Sequence, residues 1–214
     1  MEKLLIIGAG GHGRVIADIA LKMNRWQQIA FLDDDEAHRY SLGFEVIGPS
    51  SKALNLVGAY DIFIAIGNNA TREKLHKVLK AAGVTMPTLI HPNTTIGMQV
   101  KIGEGTVVMA GAVINCGSRI GDGCIVNTAA TVDHDGTIAD YVHISPGAHI
   151  AGTVTIGKGT WIGVGAIVKN NVEITEGTVI GAGAVVIRNI MEAATYVGVP
   201  VRRVNTIGEN TGIS

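Results

Sequence analysis

Two hydrophobic periods divide the chain. Up to about residue 90, short apolar runs alternate with helically spaced apolar residues; beyond it, apolar residues return every six positions. In the first part, residues 3–7, 29–32 and 61–66 read as buried strands, and 88–90 as a short last strand. Residues 11–24 carry Val15, Ile16, Ile19 and Ala20 at helical spacing, and residues 71–82 carry Leu75, Val78 and Leu79 on one helical face. Strands alternating with helices predict a small parallel sheet with helices packed on it, over residues 1–90.

From Pro92 the sequence falls into sixteen blocks of six with no insertion, from PNTTIG through CGSRIG and KGTWIG to AGAVVI. The fifth position is Ile or Val in all of them, from Ile96 to Val186, and the third is always Thr, Val, Ala, Ser, Cys or Gly. A sandwich of ordinary strands would alternate every two residues and lose register at its loops. A strict period of six predicts one flat strand per block and three faces per coil. The Ile or Val points inward and stacks on the residue eighteen later, and the small third residue sits inside near the corner. The blocks make about five coils, roughly 25 Å tall at ordinary strand spacing. This unit spans residues 91–187; residues 188–214 leave the register as a cap or tail.

Composition sharpens this picture. With 29 Gly in 214 residues and 4% aromatics, the chain suits a repetitive fold with tight turns better than a globule packed around large rings. The charges nearly cancel, at net −1, which suggests no polyanion partner such as nucleic acid. Residues 1–8 hold one Lys and a short apolar run ending in a glycine loop, which reads as a strand and not a signal peptide. No apolar run approaches the ~18–20 residues of a membrane span, so a cytoplasmic protein without membrane insertion is expected. Cys116 and Cys124 are too few for a disulfide framework. Cys124 holds a third position and reads as a small core residue, and neither cysteine reads as a nucleophile.

Candidate chemistry centres on the run VDHDGTI, residues 132–138. His134 opens a block, so it occupies neither inward position and projects from the surface or a corner. A neutral imidazole accepts a proton near pH 7, and the adjacent Asp135 can orient the ring. His143 and His149 raise a zinc site, but the three histidines fall in consecutive blocks and hence on three faces, so no metal is expected. Gly8, Gly10 and Gly13 spell G-x-G-x-x-G between a strand and a helix, with Asp33 about twenty residues on. That is the dinucleotide fingerprint and invites an NAD-binding reading. The underlying physics, glycine backbone and a helix N-terminus beside phosphate, fits any diphosphate. A half-domain of roughly 90 residues is also small for a full dinucleotide fold.

GAGGHG, FLDD, IAIGNN, the run from Asn127 to Asp135, AGTVTIG and the VGVP of the tail together resemble the bacterial hexapeptide-repeat sugar acetyltransferases. These include UDP-4-amino-sugar N-acetyltransferases, perosamine N-acetyltransferases and sialic acid O-acetyltransferases. The resemblance covers nearly the whole chain. It implies a half-Rossmann-like α/β domain that binds a nucleotide sugar, followed by a left-handed parallel β-helix. It also implies acetyl-CoA as cosubstrate and transfer to the C4 amine of a nucleotide-linked amino or deoxy sugar for surface glycan synthesis. In that scheme His134 is the general base of a direct attack, with Asp135 beside it. Gly10, Gly11, His12, Asp33, Asp34, Gly67, Asn68 and Asn127 fall on acceptor positions, Asp33 and Asp34 contacting the base or positioning the site. His143, Gly152, Gly198 and Pro200 fall on acetyl-CoA positions, with the Gly152 N–H as donor to the thioester carbonyl. Asp flanks His134 where some members have Glu. A prism with flat faces packs around a threefold axis, and His134 and His143 could meet only between subunits, so a homotrimer is expected. O-acetylation of sialic acid is the alternative within the family; outside it stand a non-catalytic trimeric binding module and an NAD-binding enzyme.

Overall fold

The structure, a computed structural model, describes residues 2–204. The N-terminal half runs β1 (Lys3–Ile7), α1 (Gly11–Met23), β2 (Gln28–Leu32), a small hairpin of β3 (Tyr40–Ser41) and β4 (Phe44–Glu45), a 3-10 helix (Ser50–Leu56), β5 (Asp61–Ile64) and α2 (Asn69–Ala81). Its sheet is parallel in the order β2–β1–β5. Strand β1 is apolar on both sides because both faces are covered. Leu4 and Ile6 join Phe31, Phe63 and the α1 residues Ile16 and Ile19, while Leu5 and Ile7 join Ile62, Ile64 and Leu79 of α2.

The helices differ in detail from the expected ones. Val15 and Val78, placed on apolar faces, are 42% and 46% exposed. On α2 the buried residues are Arg72, His76 and Leu79. The helix is wedged between its own sheet and the second half of the chain, so the stripe it buries is wider than, and rotated from, the apolar one. It also begins at Asn69, two residues earlier than expected, because the Asn68 side chain accepts the Thr71 N–H at 2.9 Å and caps it.

The second half is a parallel β-helix with three sheets. The strand Leu89–Ile90 belongs to it: it pairs with Val107–Val108, not with the N-terminal sheet. Residues eighteen apart pair from coil to coil as far as Val185–Val186, and Leu89 stands eighteen before Val107, so the coil starts one block earlier than expected. A two-residue strand is too short to declare its own period. The fifth-position residues and the small third-position residues form one continuous core, including Val108, Ala112, Ile114, Ala130, Val132 and Ala148. From the second block onward, the second position turns the corner with left-handed backbone. Glycine fills most of these corners; Gln99, Ala129, Asp135, Tyr141, Thr153 and Asn171 take the same conformation at φ 55–61°.

The three faces carry different outward residues. One column reads Leu89, Val107, Ile125, His143, Trp161, Val179 (the docked face). A second reads Thr95, Val113, Thr131, His149, Ile167, Val185 (the bare face). The third reads Lys101, Arg119, Thr137, Thr155, Glu173 (the charged face). On the docked face Leu89, Val107 and Ile125 are fully buried in the same cluster as Leu4, Phe31 and Phe63, so the N-terminal half sits on the lower coils. The tail stays with this sheet longer than expected. Thr195–Val197 pairs with Val179–Ile180, and Arg202–Arg203 folds back antiparallel to close the top. The remainder of the expected tail, 205–214, lies outside the described residues.

Candidate active site

His134 and Asp135 form the corner between the bare and charged faces. The His134 Nδ1–H donates to Asp135 Oδ2 at 2.9 Å, which leaves Nε2 as the unprotonated, basic nitrogen. The Asp135 bond outweighs desolvation and, with the charges of Asp133 and Asp135 adding to it, raises the imidazole pKa above its ordinary value. Asp133 stays ionised because its carboxylate accepts from Asn115 Nδ2 at 2.8 Å and from the His134 N–H at 2.8 Å. Two glycines make room for the pair. A Cβ at Gly117, one coil below, would meet Asp135 Oδ1 at 2.5 Å. One at Gly152, one coil above, would lie against His134 Nε2 and 2.7 Å from Cε1. Among the described residues no acceptor takes the Gly152 N–H. A cleft of about 370 Å³ runs along the bare face beside this corner, lined by Val113, Asn115, Asp133, His149 and Ile167.

His143 stands on the docked face, on the opposite side of the prism from His134, and the chain does not bring the two together. His149 points from the bare face, bonded to Thr131 Oγ1 at 3.0 Å. Among the described residues no three His, Cys, Asp or Glu side chains gather around a possible metal position. The ring of His143 stacks on Trp161, centroids 5.7 Å apart and planes within 3°. Asn127 Oδ1 accepts the Thr128 N–H at 2.8 Å, so its Nδ2 faces His143 Nε2 at 3.1 Å. The amide donates there, which puts the imidazole proton on Nδ1, a buried atom without a partner. Burial, then the charge of Arg72, then His12, push the His143 pKa down to about 3.

The glycine fingerprint divides into two roles. A Cβ at Gly8 would meet Ala65 O at 2.7 Å, and one at Gly13 would collide with Gly8 O, so these two serve close packing of β1, β5 and α1. Gly10 and Gly11 have nothing within 4 Å of a Cβ and leave open space at the start of α1. His12 follows them; its Nε2 is buried without a partner, and burial followed by Arg72 lowers its pKa to about 4. Asp33 is engaged internally, Oδ2 accepting the Ala9 N–H at 2.6 Å and Oδ1 the Asp35 N–H at 2.9 Å. Asp34 accepts from the Ser50 N–H and Oγ at 2.8 and 2.7 Å. Both acids hold loops in place, and Asn68 caps α2. Gly67 offers its carbonyl to Arg72 at 3.0 Å. Gly198, at φ 95°, and Pro200 lie in the closing hairpin, where Pro200 lines a cleft of about 380 Å³ with Arg188, Tyr196, Arg202 and Arg203.

Sequence reasoning passed over Trp161, Gly117 and Arg72. Arg72 shares the stripe of Leu75 and Leu79 at i, i+3 and i+7, an unusual place for a cation, and that was the legible signal. It is 1% exposed and bonded on every side. Nε donates to Gly123 O at 2.6 Å; Nη1 to Ile66 O and Gly67 O at 3.0 Å each; Nη2 to Asn69 Oδ1 at 2.7 Å and Tyr141 O at 3.0 Å.

Residues 3–79 match the PglD N-terminal domain family, and residues 153–188 the bacterial transferase hexapeptide family. A curated relative from Bacillus subtilis, UDP-N-acetylbacillosamine N-acetyltransferase, is 37% identical over 114 residues, 51% of this chain and 52% of that protein. That match therefore spans about half the length of the curated relative. Among solved structures, the acetyltransferase domain of PglB from Neisseria gonorrhoeae aligns with TM-score 0.92 and 42% identity over 95% of this chain and 100% of that one. The same domain in complex with acetyl coenzyme A gives TM-score 0.91 and 43% identity, over 95% and 99% of the two chains. PerB from Caulobacter crescentus, solved with CoA and GDP-perosamine, gives 0.90 and 35%, over 96% and 98%. With its half-Rossmann-like α/β domain set on a left-handed β-helix, the chain belongs to the bacterial hexapeptide-repeat sugar acetyltransferases that carry a PglD-type N-terminal domain.

Proposed function

We propose that this protein transfers acetyl from acetyl-CoA to the C4 amine of a nucleotide-linked amino sugar, as a cytoplasmic homotrimer. The observation that carries the chemistry is the bare Nε2 of His134, its other nitrogen tied to Asp135, beside the N–H of Gly152. The amine nitrogen attacks the thioester carbonyl carbon as His134 Nε2 takes its proton. Negative charge on the carbonyl oxygen is met by the Gly152 N–H, and collapse expels the CoA thiolate. The open backbone at Gly10 and Gly11 takes the diphosphate at the start of α1. Asp33, both of whose oxygens are engaged by backbone N–H groups, is not free to bind a ribose as the NAD reading requires.

The assembly follows from the faces. The charged face suits solvent, whereas Trp161 on the docked face and Ile167 on the bare face are 48% and 45% exposed. Packing the bare face of one subunit on the upper docked face of the next closes a ring and brings His134 toward its neighbour's His143, Asn127 and His12. The test measures thiol release from acetyl-CoA with UDP-, GDP- and CMP-linked amino sugars and free sialic acid. Release with a nucleotide-linked 4-amino sugar, and an N-acetyl product by NMR, is expected. Release with sialic acid alone, or with none, overturns the assignment.

The raised pKa of His134 sets a pH dependence. The base works unprotonated, so kcat/KM falls as pH drops through a value above that of an ordinary imidazole. Asp135→Asn takes the negative charge from the acceptor that raises it, and the acid limb of the profile is expected to move to lower pH. An unmoved limb assigns it to another group.

A further inference from the structure

We infer that Arg72 is a positioning residue for the acceptor: one buried guanidinium fastens the loop after β5, residues 66–69, to the β-helix, and so sets the glycine loop and His12 against His143. The inference rests on the acceptor site proposed above. On the loop side Arg72 holds Ile66 O, Gly67 O and Asn69 Oδ1; on the β-helix side it holds Gly123 O and Tyr141 O. Asn69 completes the clamp by donating from Nδ2 to Gly159 O at 2.9 Å.

Among the described residues no carboxylate partners Arg72, and carbonyl and amide dipoles offset a cation removed from water. Such burial is costly, and filling the stripe of α2 does not require it, since Leu75 and Leu79 serve the same stripe. What a planar guanidinium adds is several donors in one fixed geometry, which can tie two chain segments at a set distance; an ammonium cannot reproduce that.

The charge has a second use. Burial first, and then the charge of Arg72, keep His12 and His143 neutral; His143, whose Nε2 is held by Asn127, presents its Nδ1–H as a donor. His12 adds to the effect on His143, whose other neighbours Asn127 and Trp161 carry no charge. Cys124 and Tyr141, the titratable groups that bear on Arg72, are themselves pushed up to about 12, in each case chiefly by burial, and stay neutral.

The full chain is tested as Arg72→Met and Arg72→Lys, with Arg72→Gln replacing Met if that variant does not fold. Acceptor and acetyl-CoA kinetics are measured, and the imidazoles of His12 and His143 are titrated by NMR. Arg72→Met is expected to lower kcat/KM for the acceptor roughly 10- to 100-fold, the scale of a misplaced substrate, with KM for acetyl-CoA within about twofold. Both histidine midpoints move upward. Arg72→Lys keeps the charge and loses the planar set of donors, so its midpoints hold while acceptor kcat/KM still falls. Wild-type acceptor kinetics in Arg72→Lys, or equal losses for both substrates, overturn the inference. Should no sugar in the panel be acetylated, the fault lies with the proposed function. The titration, which needs no substrate, then decides alone: unmoved midpoints in the uncharged variant overturn the role of Arg72.

Discussion

His134→Ala is expected to lower turnover by roughly 10²–10⁴-fold while leaving the dissociation constant of acetyl-CoA within about threefold. The fold of the corner does not depend on the imidazole. Its turn is held by main-chain bonds, from the Thr153 N–H to His134 O at 2.9 Å and from the Asp135 N–H to Cys116 O at 3.0 Å, and alanine keeps both. The imidazole acts only while the amine is losing its proton, so the loss falls on kcat and not on coenzyme binding. Calorimetric titration of the variant with acetyl-CoA separates the two. Near-normal turnover would assign the proton to another group. The same variant reports on assembly. His134→Ala and His143→Ala trimers, each impaired, are unfolded together and refolded. Sites shared between subunits recover part of the activity, because some interfaces regain both histidines; no recovery sinks the shared site.

The next largest loss is expected from Gly152→Ala. The backbone at Gly152 lies outside the left-handed region, so alanine brings no intrinsic strain. The added methyl, however, would lie against His134 Nε2, 2.7 Å from Cε1 and 3.0 Å from Cδ2. The ring must swing away, breaking its bond to Asp135 or withdrawing Nε2 from the reacting amine. A displacement of this size costs about 10²-fold in kcat. The core beneath is untouched, and Tm should hold within a few degrees. The decisive comparison is the double variant with His134→Ala. If Gly152 matters through the room it leaves the ring, the double variant is no slower than His134→Ala alone. A further large drop would show that the added methyl obstructs something other than the ring.

The register of the β-helix was legible because a period of six commits every block at once. Ile114, Val132 and Ile150 could be placed inside, and His134 outside, from their positions in the block alone. The outward fourth positions were not legible in this way. Leu89, Val107 and Ile125 are buried while Trp161, in the same column, is exposed. What an outward residue meets is decided by a different part of the chain, and periodicity carries no information about it. The same limit explains α2, whose apolar spacing pointed to Val78 whereas the structure buries Arg72 and His76. In the site, single residues were easier to find than their partners. His143 and Asn127 were both singled out, but their contact across neighbouring coils, and the proton it places on Nδ1, needed coordinates. Asp33, Asp34 and Asn68 were singled out for a ligand or for positioning, and their side chains are engaged by their own backbone neighbourhood.

The apolar column under the N-terminal half bears on how the protein comes apart. Leu89, Val107 and Ile125 share one cluster with β1, β2, β5 and α1, although they are part of the β-helix. Cutting the chain at the change of sequence period would leave these aliphatic side chains wet, at about 1.5–3 kcal/mol each. That is a large fraction of the margin by which an ordinary domain is folded. The break in sequence pattern near residue 90 is therefore not a break in cooperativity. The lower coils and the α/β half are expected to unfold as a single unit, with fraying of the β-helix starting at its upper end, away from the N-terminal half.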